Sequence, residues 1–527
     1  MLRINNFRAP LDYTDDSLRK MLEKKLELSP DELISFRIYR RSVDARDKKD
    51  IHFVLSIDLV CRHESVLRKK HRFLVTAAAP VPSFLPSREF THPPLIVGAG
   101  PAGLFAALTL ARAGAGPVLI ERGKPVESRR PDVDRMAAEG ILNPESNIQF
   151  GEGGAGAFSD GKLTCGIKSP YLRSVLETFA EHGAPSEILT DQKPHIGTDL
   201  LRNIIVSIRK EIIRLGGTVL FETRLEELLI RSGAVCGAIV SEKEVLREIE
   251  SDHILLCIGH SARDTVQHLF SQGVRMAQKP FAMGVRIEHP REMIDRVQYG
   301  SYAGHPALGA ASYKLVCHTP DGRGVYTFCM CPGGFVIPAA SQPGGLVVNG
   351  MSYHARNGAN SNSALLVGVR TEDFGDDHPL AGLVLQRRIE KAAFSAGGGS
   401  FTAPAQRVED FLADRASSRF GDVIPSYRPA VVPADIRDAL PDYICRNLKT
   451  GIRAMNAQLP GFALPDAVLT CPETRSSSPV RMPRLLSGES ENLAGLFPVG
   501  EGAGFAGGIV SSAIDGISAA RSVLSNQ

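Results

Sequence analysis

The stretch LIVGAGPAGLFAALTLARAGAGPVLIE, residues 95–121, carries the signals that decide the fold. A short apolar run, residues 95–97, precedes the glycine pattern G-x-G-x-x-G, as in a strand buried on both faces. The Ala- and Leu-rich segment after the glycines predicts a helix that ends near Gly114. A second apolar run, residues 118–120, ends at Glu121. This order predicts a strand–helix–strand unit in a parallel sheet.

The glycines and the acid of this unit predict a dinucleotide site. Gly98 permits the tight turn, and Gly100 lets a pyrophosphate approach the backbone at the helix N-terminus. Gly103 allows the helix and the strand to pack closely. Glu121 lies at the end of the second strand, where its carboxylate can accept hydrogen bonds from ribose hydroxyls. FAD and NAD remain alternatives for this pattern, because both carry this ribose and pyrophosphate.

Two distant segments add glycine-rich turns to the first. The segment FGEGGAGAFSDGKL, residues 150–163, can form an anion nest or pass close to a flat ring, and the alternative is a flexible surface loop. The segment LFPVGEGAGFAGGIVSSAIDG, residues 496–516, predicts a strand, then Gly500–Glu501, and a helix that begins near Ile509. A helix N-terminus at that place can stabilise negative charge on a ligand.

This order resembles the FAD-binding fold of the flavoprotein superfamily typified by glutathione reductase and fumarate reductase. The resemblance implies that Glu501, where Asp is commoner, contacts the ribityl–phosphate part of FAD, and that the last helix points its N-terminus at the flavin. The segments VYTFCMCPGGFV (325–336), VVNGMSYHARNGANSNSALL (347–366) and ETRSSSPVRM (473–482) are similar to one bacterial family of FAD-dependent dehydrogenases of poorly defined function.

The predicted fold class is α/β, with a Rossmann-like FAD-binding domain, an inserted α+β substrate domain and a small N-terminal α+β domain. The predicted boundaries are 1–76 for the N-terminal domain, 77–94 for a Pro-rich linker, 95–278 for the first part of the FAD-binding domain, 279–480 for the inserted domain and 481–527 for the C-terminal part. The predicted cofactor-binding residues are Gly98, Gly100, Pro101, Ala102, Gly103, Glu121, Arg122, Gly153, Gly154, Gly156, Ser159, Leu225, Gly259, Gly500, Glu501, Gly507, Gly508 and Ile509.

The N-terminal region is the most basic part of the chain. Residues 1–90 contain 18 Lys and Arg against 13 Asp and Glu, although the whole chain carries a net charge of only +3. The region predicts an amphipathic helix and two alternating strands joined by a hairpin loop at residues 40–50. Its two basic clusters are Arg40, Arg41, Arg46, Lys48 and Lys49, and Arg68, Lys69, Lys70 and Arg72. They suit either an RNA-binding face or a solvated loop. We expect the second, because no aromatic residues interleave with the charges as base stacking requires.

Three residues are candidates for the chemistry: His354 as a proton donor or acceptor, and Arg475 and Lys162 as cations beside a substrate carboxylate or the flavin. Structural roles remain the alternatives for each. Cys329 and Cys331 are the only close pair among nine cysteines, and residues i and i+2 of a strand share a face. They could face a flavin or a metal, but we expect two small core residues and predict no metal site.

The sequence therefore predicts an FAD-dependent oxidoreductase that transfers hydride through flavin N5 to or from a small organic substrate. The alternatives are a flavoprotein that acts on RNA and a non-enzymatic electron-transfer or scaffold protein. No C-x-x-C and no second G-x-G-x-x-G unit are present, which disfavours dithiol relay chemistry and a separate NADPH domain. NAD(P)H or a protein donor would then dock transiently. Scattered cysteines, the lack of a secretory signal and the lack of a long apolar stretch predict a cytoplasmic protein without a membrane span.

Overall fold

The structure is a computed structural model that describes residues 1–76 and 88–525. Most of the predicted linker, residues 77–87, lies outside the described residues. The described chain forms three bodies of secondary structure, each with its own buried apolar cluster. Within the two described ranges, no helix combines the length and the apolar character that crossing a membrane requires.

The N-terminal unit is a four-stranded antiparallel sheet in the order β2-β3-β1-β4, covered by a helix. Leu18, Leu22 and Leu26 are buried because their spacing of four residues places them on one face of that helix. The first of the two predicted strands continues to Asp44 and pairs with β3 along this extension. The predicted loop at residues 40–50 is therefore wrong for residues 40–44. The elements are β1 (Leu2–Ala9), α1 (Asp15–Leu26), β2 (Leu33–Asp44), β3 (His52–Cys61), α2 (Glu64–Lys70) and β4 (Val75–Thr76).

The second body has a five-stranded parallel sheet in the order β23-β11-β5-β6-β7, whose edge strand β23 comes from the end of the chain. A three-stranded antiparallel sheet, β10-β9-β8, is attached to it, and its strand β8 was not predicted. The elements of this part are β5 (Leu95–Val97), α3 (Pro101–Arg112), β6 (Val118–Ile120), α4 (Val126–Glu139), α5 (Leu172–Glu181), α6 (Thr198–Arg214), β7 (Thr218–Leu220), β8 (Thr223–Arg231), β9 (Ala234–Glu242), β10 (Val245–Glu250), β11 (Ile254–Leu256), α7 (Arg263–Ser271) and β12 (Ala277–Gln278).

The third body is built on a seven-stranded mixed sheet in the order β14-β15-β18-β13-β21-β19-β20. Its two central strands, β13 and β18, pair along ten residues and are buried on both faces. The elements are β13 (Phe281–Pro290), α8 (Arg291–Tyr299), β14 (Val316–His318), β15 (Gly324–Cys331), β16 (Phe335–Pro338), β17 (Val348–Met351), β18 (Asn360–Val369), α9 (Ala381–Ala396), β19 (Ala403–Arg407), α10 (Val408–Leu412), β20 (Val431–Pro433), α11 (Asp442–Gln458), β21 (Val468–Glu473) and β22 (Val480–Arg481).

The chain then returns to the parallel sheet through β23 (Leu496–Pro498) and ends in the helix α12 (Ile509–Ser525). Helix α12 packs along α3. The two helices can approach closely because Gly516 has no side chain, and a Cβ there would lie 2.1 Å from the Ala102 carbonyl oxygen. The carboxyl ends of β5, β6, β11 and β23 therefore meet at one edge, next to the start of both helices. In open parallel sheets this edge is where ligands bind.

Candidate functional site

A cavity of about 650 Å³ lies between this edge of the parallel sheet and the inserted domain. Its volume is within the roughly 300–1,000 Å³ of small-molecule and cofactor sites. The turns after β5, β6, β11 and β23 form one wall. The facing wall comes from the inserted domain, with residues of the ranges 312–314, 327–330 and 473–476. The cavity can therefore hold a ligand that both domains contact.

The first glycine segment sets the N-terminus of α3 on the cavity. Gly100 is the N-cap of α3, Pro101 is its first residue, and both line the cavity. The free amide groups of the first helical turn can therefore bind an anion there. A Cβ at Gly100 would meet no described atom within 4 Å, whereas a Cβ at Gly103 would lie 1.8 Å from the Gly98 carbonyl oxygen. Gly100 is open to the ligand, and Gly103 serves the packing of helix against strand.

Glu121 is buried at the cavity wall and holds three backbone segments together. Its Oε2 accepts a hydrogen bond from the Ala99 amide at 2.8 Å, and its Oε1 accepts from the amides of Gly123 and Gly151, each at 2.9 Å. A carboxylate has about four acceptor positions, so about one is left for a ribose hydroxyl. The predicted ribose contact stays a prediction, and the structural role of the side chain was missed.

The second glycine segment is fixed in place rather than a flexible loop. It forms a short 3₁₀ helix, Gly154–Phe158, whose start touches the turn at Gly100. The fully buried Arg129 of α4 donates hydrogen bonds to five carbonyl oxygens around this segment, those of Asn147, Ile148, Gly151, Glu152 and Gly154. The sequence analysis missed Arg129, because a cation that binds only backbone carbonyls leaves no motif.

The C-terminal segment brings a second helix N-terminus to the cavity. Gly507, Gly508 and Ile509, at the start of α12, line it together with Glu501. Oε1 of Glu501 lies 3.4 Å from Nδ1 of His260, a cavity residue that the sequence analysis did not identify. These two helix N-termini and the glycine surfaces between them fit the pyrophosphate and the flat ring of a dinucleotide cofactor.

Nearly all the predicted cofactor-binding residues line this cavity. The exceptions are Gly103, Gly153 and Gly500, which lie behind its wall. There Gly153 has a φ of 82°, and the amide of Gly500 donates to Oδ2 of Asp515 at 2.7 Å. The guanidinium of Arg122 lines the cavity but is already paired with Glu145 and Asp264. The lining residues are Gly98, Gly100, Pro101, Ala102, Glu121, Arg122, Gly154, Gly156, Ser159, Leu225, Gly259, Glu501, Gly507, Gly508 and Ile509.

Of the three residues predicted for the chemistry, two reach the cavity and one does not. Lys162 and Arg475 line it. His354 lies outside it, where its Nδ1 binds the Ile196 carbonyl at 3.0 Å and its ring stacks on His195. The prediction that His354 exchanges a proton with the substrate is therefore a poor fit to the geometry, because its ring is engaged by the neighbouring backbone.

Arg475 is part of a buried ion cluster behind the cavity. Its guanidinium donates to both oxygens of Glu390 on α9, each at 3.0 Å, and Arg263 binds the same carboxylate at 2.7 and 2.8 Å. Burial disfavours the charged form of Glu390, but the two guanidinium groups outweigh burial and hold its pKa well below the usual range. Two cations share one anion, so this cluster keeps a net positive charge beside the cavity.

Cys329 and Cys331 differ from the expected pair of core residues. Cys331 is fully buried, but Cys329 lines the cavity. A register shift between Phe328 and Cys331 opposite β18 and a φ of 43° at Cys329 replace the regular strand geometry. In the described ranges, 1–76 and 88–525, no three His, Cys, Asp or Glu side chains group as metal ligands would.

Glu473 is a cavity residue that the sequence analysis did not identify. Both of its oxygens contact Nη1 of Arg286, at 2.9 and 3.0 Å. Burial raises the pKa of Glu473 to about 7, against the opposing charge of Arg286. A group that gains and loses a proton near neutral pH is suited to general acid–base catalysis. Since Glu473 ends the buried strand β21, it resembles any core-strand residue in the sequence.

Three lysines form a further part of the cavity wall, the lysine wall. Lys162, Lys193 and Lys314 line it, and Asp160 is the nearby acid. Asp160 is occupied by Arg356, whose Nη2 donates to Oδ2 at 2.6 Å, while Lys162 stays 4.0 Å away. Burial lowers the pKa of Lys193, and the neighbouring cations Lys162 and Arg356 lower it further. This wall therefore carries an excess of positive charge.

The N-terminal unit docks beside this lysine wall. The Arg41 amide donates to the Thr190 carbonyl at 2.7 Å, the Gln192 amide donates to the Arg41 carbonyl at 2.8 Å, and the Arg41 guanidinium pairs with Asp191. Lys70 and Arg46, from the two predicted basic clusters, pair with Glu27 and Asp44. Several of the basic residues thus have acidic partners within the chain.

Comparisons with solved structures return proteins of low sequence identity and low TM-score. Quinol fumarate reductase FrdA from E. coli has 13% identity, covers 83% of this chain and 70% of its own, and gives a TM-score of 0.36. A geranylgeranyl bacteriochlorophyll reductase-like protein from Thermoplasma acidophilum has 12% identity, covers 82% and 78%, and gives 0.31. CtdE in complex with FAD has 12% identity, covers 82% and 83%, and gives 0.30.

Family models match three parts of the chain. Residues 280–476 match the C-terminal domain of FAD-dependent proteins, residues 92–130 match an FAD binding domain, and residues 1–60 match a domain of unknown function. A protein from Clostridium beijerinckii described as uncharacterized is 46% identical over 528 residues, with 99% of this chain and 98% of that protein covered. FAD is the cofactor, and the protein is a flavoprotein of the FAD-dependent oxidoreductase type. The chain belongs to the family of FAD-dependent proteins that includes this Clostridium beijerinckii protein.

Proposed function

We propose that the protein transfers hydride through N5 of FAD to or from a small organic anion. The observation that carries the proposal is that one cavity joins the two helix N-termini of the FAD-binding domain to a wall of lysines. FAD supplies a two-electron carrier that exchanges hydride at N5. The residues of this chain then have to bind the cofactor, orient the substrate and handle one proton.

The glycine segments and the helix N-termini bind and orient the cofactor. Gly100 and Gly154 present bare backbone to the cavity, so a pyrophosphate or a ring can approach without meeting a side chain. The starts of α3 and α12 both stabilise negative charge. Arg129 keeps the 3₁₀ segment rigid through its carbonyl contacts, so that the cofactor surface is formed before binding.

The lysine wall orients the substrate. Lys162, Lys193 and Lys314 face the cavity, and Asp160, the acid next to them, is engaged by Arg356. A carboxylate or phosphate group of the substrate supplies the missing negative charge. Nζ of Lys193 is held by Oγ of Ser312 at 3.1 Å, which fixes the direction of the ammonium group.

Glu473 holds the proton that accompanies hydride transfer. Its pKa of about 7, raised by burial, lets the Oε atoms be protonated or ionised near neutral pH. Arg286 fixes the orientation of this carboxyl group, and Cys329 and Ser476 line the cavity beside it. Glu473 takes the role that the sequence analysis assigned to His354.

The electron donor or acceptor docks transiently at the cavity mouth, as NAD(P)H or as a protein partner. Support comes from the aromatic ring of Phe328, which lines the cavity and is 40% exposed. An exposed aromatic face at a cavity rim can stack against a nicotinamide or pack against a partner protein.

The test is an anaerobic titration of the purified yellow protein, followed through the visible spectrum. NADH, NADPH and a panel of small carboxylic and phosphorylated acids are added to the oxidised and the reduced form. Lys193→Met should raise the concentration of anion that gives half-maximal spectral change about tenfold, because one charge-assisted hydrogen bond is lost. Lys168→Met is the matched control, because Lys168 is exposed and does not line the cavity.

Two results would contradict the proposal. A flavin that no reductant or substrate reduces or reoxidises would favour the electron-transfer or scaffold alternative. Equal effects of the Lys193 and Lys168 substitutions would show that the lysine wall does not select an anion. Salt-dependent binding of RNA by the full chain, lost when Arg68 and Lys69 are changed to Glu, would favour the RNA-acting alternative.

A further inference from the structure

Cys329 and Cys331 lie at the end of β15, one at the cavity surface and the other directly behind it. Residues i and i+2 of a regular strand share a face but stand apart. Here the register shift after Phe328 and the positive φ of Cys329 interrupt the regular strand geometry between the two residues. Sγ of Cys331 lies 3.3 Å from the Cys329 carbonyl oxygen.

The backbone around Cys329 is held in this unusual geometry by a side chain. The φ of 43° is one that residues other than glycine rarely adopt. Nη2 of Arg286 donates to the Cys329 carbonyl oxygen and also contacts Sγ of Cys331 at 3.4 Å. Strained backbone that its surroundings enforce is typical of functional sites. The same guanidinium thus fixes both cysteines.

Charged groups surround the pair. Lys162 and Arg286 are the cations, and Asp160 and Glu473 are the acids whose charges act on Cys329. The neighbouring Cys331 thiol lowers the pKa of Cys329 to about 5, and both cations lower it further against the opposing effect of burial. Of the two cysteines, Cys329 is therefore the one that loses its proton more readily. A thiolate is the reactive form of cysteine.

We propose that Cys329 and Cys331 form a second two-electron redox centre that exchanges electrons with FAD in the same cavity. The Cys329 thiolate and the Cys331 thiol form one S–S bond, and the S–H bond of Cys331 breaks. The two sulfurs are oxidised, and the two electrons with the one proton pass to oxidised FAD, which becomes the reduced anion. Both sides of this step carry one negative charge, and the reverse step restores the dithiol.

The structure gives each cysteine a distinct part. Cys329 is the residue that lines the cavity, so it is the one that faces the cofactor and any incoming thiol or disulfide. Cys331 is buried and closes the S–S bond from behind. Glu473 shares Arg286 with the pair and can pass the Cys331 proton on to the flavin. The proposal depends on the proposed function only for the position of the flavin ring.

Disulfide mapping on the full-length protein with bound FAD is the first test. The protein is equilibrated anaerobically in oxidised and in reduced glutathione, its free thiols are alkylated with iodoacetamide, and the peptides are mapped by mass spectrometry. We expect a Cys329–Cys331 disulfide in oxidised glutathione and two alkylated cysteines in reduced glutathione. Separate free thiols, or glutathione attached to Cys329 in oxidised glutathione, would overturn the proposal.

A reductive titration is the second test and needs no substrate. After oxidised glutathione is removed, dithionite should deliver about four electrons per chain to the wild type, two to the disulfide and two to the flavin. Cys329→Ser and Cys331→Ser should take about two. The matched control Cys317→Ser, on the neighbouring strand β14 and outside the cavity, should take about four.

Two electrons in the wild type would overturn the proposal. The mapping and this electron count can both succeed while the anion titration of the proposed function fails, so the two failures are distinguishable. If Cys331→Ser does not fold, the wild-type mapping and Cys329→Ser decide the question.

Discussion

The carboxylate of Glu121 and the amide of Ala99 are joined by a hydrogen bond of 2.8 Å that ties the end of β6 to the turn after β5. The other oxygen of the same carboxylate binds the amides of Gly123 and Gly151. Three segments around the cavity are thus held by one buried charge. The acid at the end of the second strand thus binds the protein's own backbone, and its contact with the ribose stays a prediction.

Glu121→Gln should therefore lower the stability of the protein as well as its affinity for FAD. The amide group replaces one acceptor oxygen by a donor that faces backbone N–H groups. A hydrogen bond to a charged group contributes roughly 1.5–3 kcal/mol, against about 0.5–1.5 for a neutral one. We expect the free energy of unfolding without FAD to fall by about 2–3 kcal/mol and FAD affinity to fall roughly 5- to 30-fold.

Urea unfolding and flavin fluorescence titration measure the two effects. Glu139→Gln, at the exposed end of α4, is the control and should change neither. Loss of FAD affinity with unchanged stability would mean that the carboxylate serves only the ribose.

Glu390→Gln should be the most destabilising of the polar substitutions. The carboxylate is fully buried and is shared by Arg263 and Arg475. Removing the charge of one partner from a buried pair costs about 3–5 kcal/mol, because the other charge stays buried without compensation. Here two cations would be left, so we expect a loss at the upper end of that range.

Thermal and urea unfolding of the Glu390 variant give the measurement. Glu372→Gln, at an exposed position before α9, is the matched control. A loss below about 1 kcal/mol would show that the ion cluster of Glu390 contributes little to stability in solution.

His195 should make the protein less stable as the pH falls. Burial and the nearby Arg356 lower the pKa of His195 to about 4, while its ordinary value is about 6.5. Between these two values the unfolded chain binds a proton that the native protein does not, so stability decreases as the pH falls through this window. His195→Asn should reduce this decrease by about 1–2 kcal/mol.

Unfolding free energies at pH 7 and pH 4.5 test this. His63→Asn is the control, because His63 is exposed and has a φ of 58°, which Asn tolerates. A pH dependence that His195→Asn leaves unchanged would assign the effect to another group.

The N-terminal domain should affect the lysine wall but not FAD binding. Its apolar cluster contains residues of its own sheet and helices, so it can fold without the rest. Its Arg41 pairs through backbone and side chain with residues 190–192, directly before Lys193. Deletion of residues 1–76 should leave about one FAD per chain and weaken anion binding several-fold.

Arg41→Glu in the full chain is the companion variant, since it breaks the pair with Asp191 and keeps the domain. Loss of FAD from a folded deletion variant would make the N-terminal domain part of the cofactor site. Unchanged anion binding in both variants would show that residues 190–192 position Lys193 without the N-terminal domain.

Local patterns allowed the FAD-binding elements to be predicted from the sequence. The turn at Gly98, the open backbone at Gly100 and the helix start near Ile509 depend on residues that are neighbours in the chain. Strand β8 was missed because the charges at its exposed positions look like a loop, although Leu225 and Leu228 are buried in an apolar cluster. An element of the fold was therefore predictable where a turn or a clearly alternating face in the local sequence determines its structure.

The chemistry was less predictable because it depends on contacts between distant segments. Glu473 and Arg286 are 187 residues apart, and nothing near either one signals the pair. The alternation rule places Cys329 and Cys331 on one face, but the bulge in β15 exposes one and buries the other. His354 has a polar neighbourhood in the sequence, yet its ring binds the Ile196 carbonyl and its amide donates to the side chain of Asp199.

Gly100 and Gly103 should give opposite results when a side chain is added. A Cβ at Gly100 would meet no described atom within 4 Å, and the φ of −73° suits any residue. Gly100→Val should therefore fold normally, while its branched side chain fills the space through which a pyrophosphate meets the backbone. A Cβ at Gly103 would lie 1.8 Å from the Gly98 carbonyl oxygen, so Gly103→Ala must separate helix from strand.

We expect Gly100→Val to purify without flavin, even with FAD in excess, and to keep an unfolding free energy within about 1 kcal/mol of the FAD-free wild type. Gly103→Ala should lose about 2–4 kcal/mol, or fail to fold, because overpacking against rigid backbone has no side-chain remedy. Visible absorbance and urea unfolding distinguish the two. A folded Gly100→Val protein with one FAD per chain would mean that this turn does not hold the pyrophosphate, and the first glycine segment would then serve only the packing of α3 on β5.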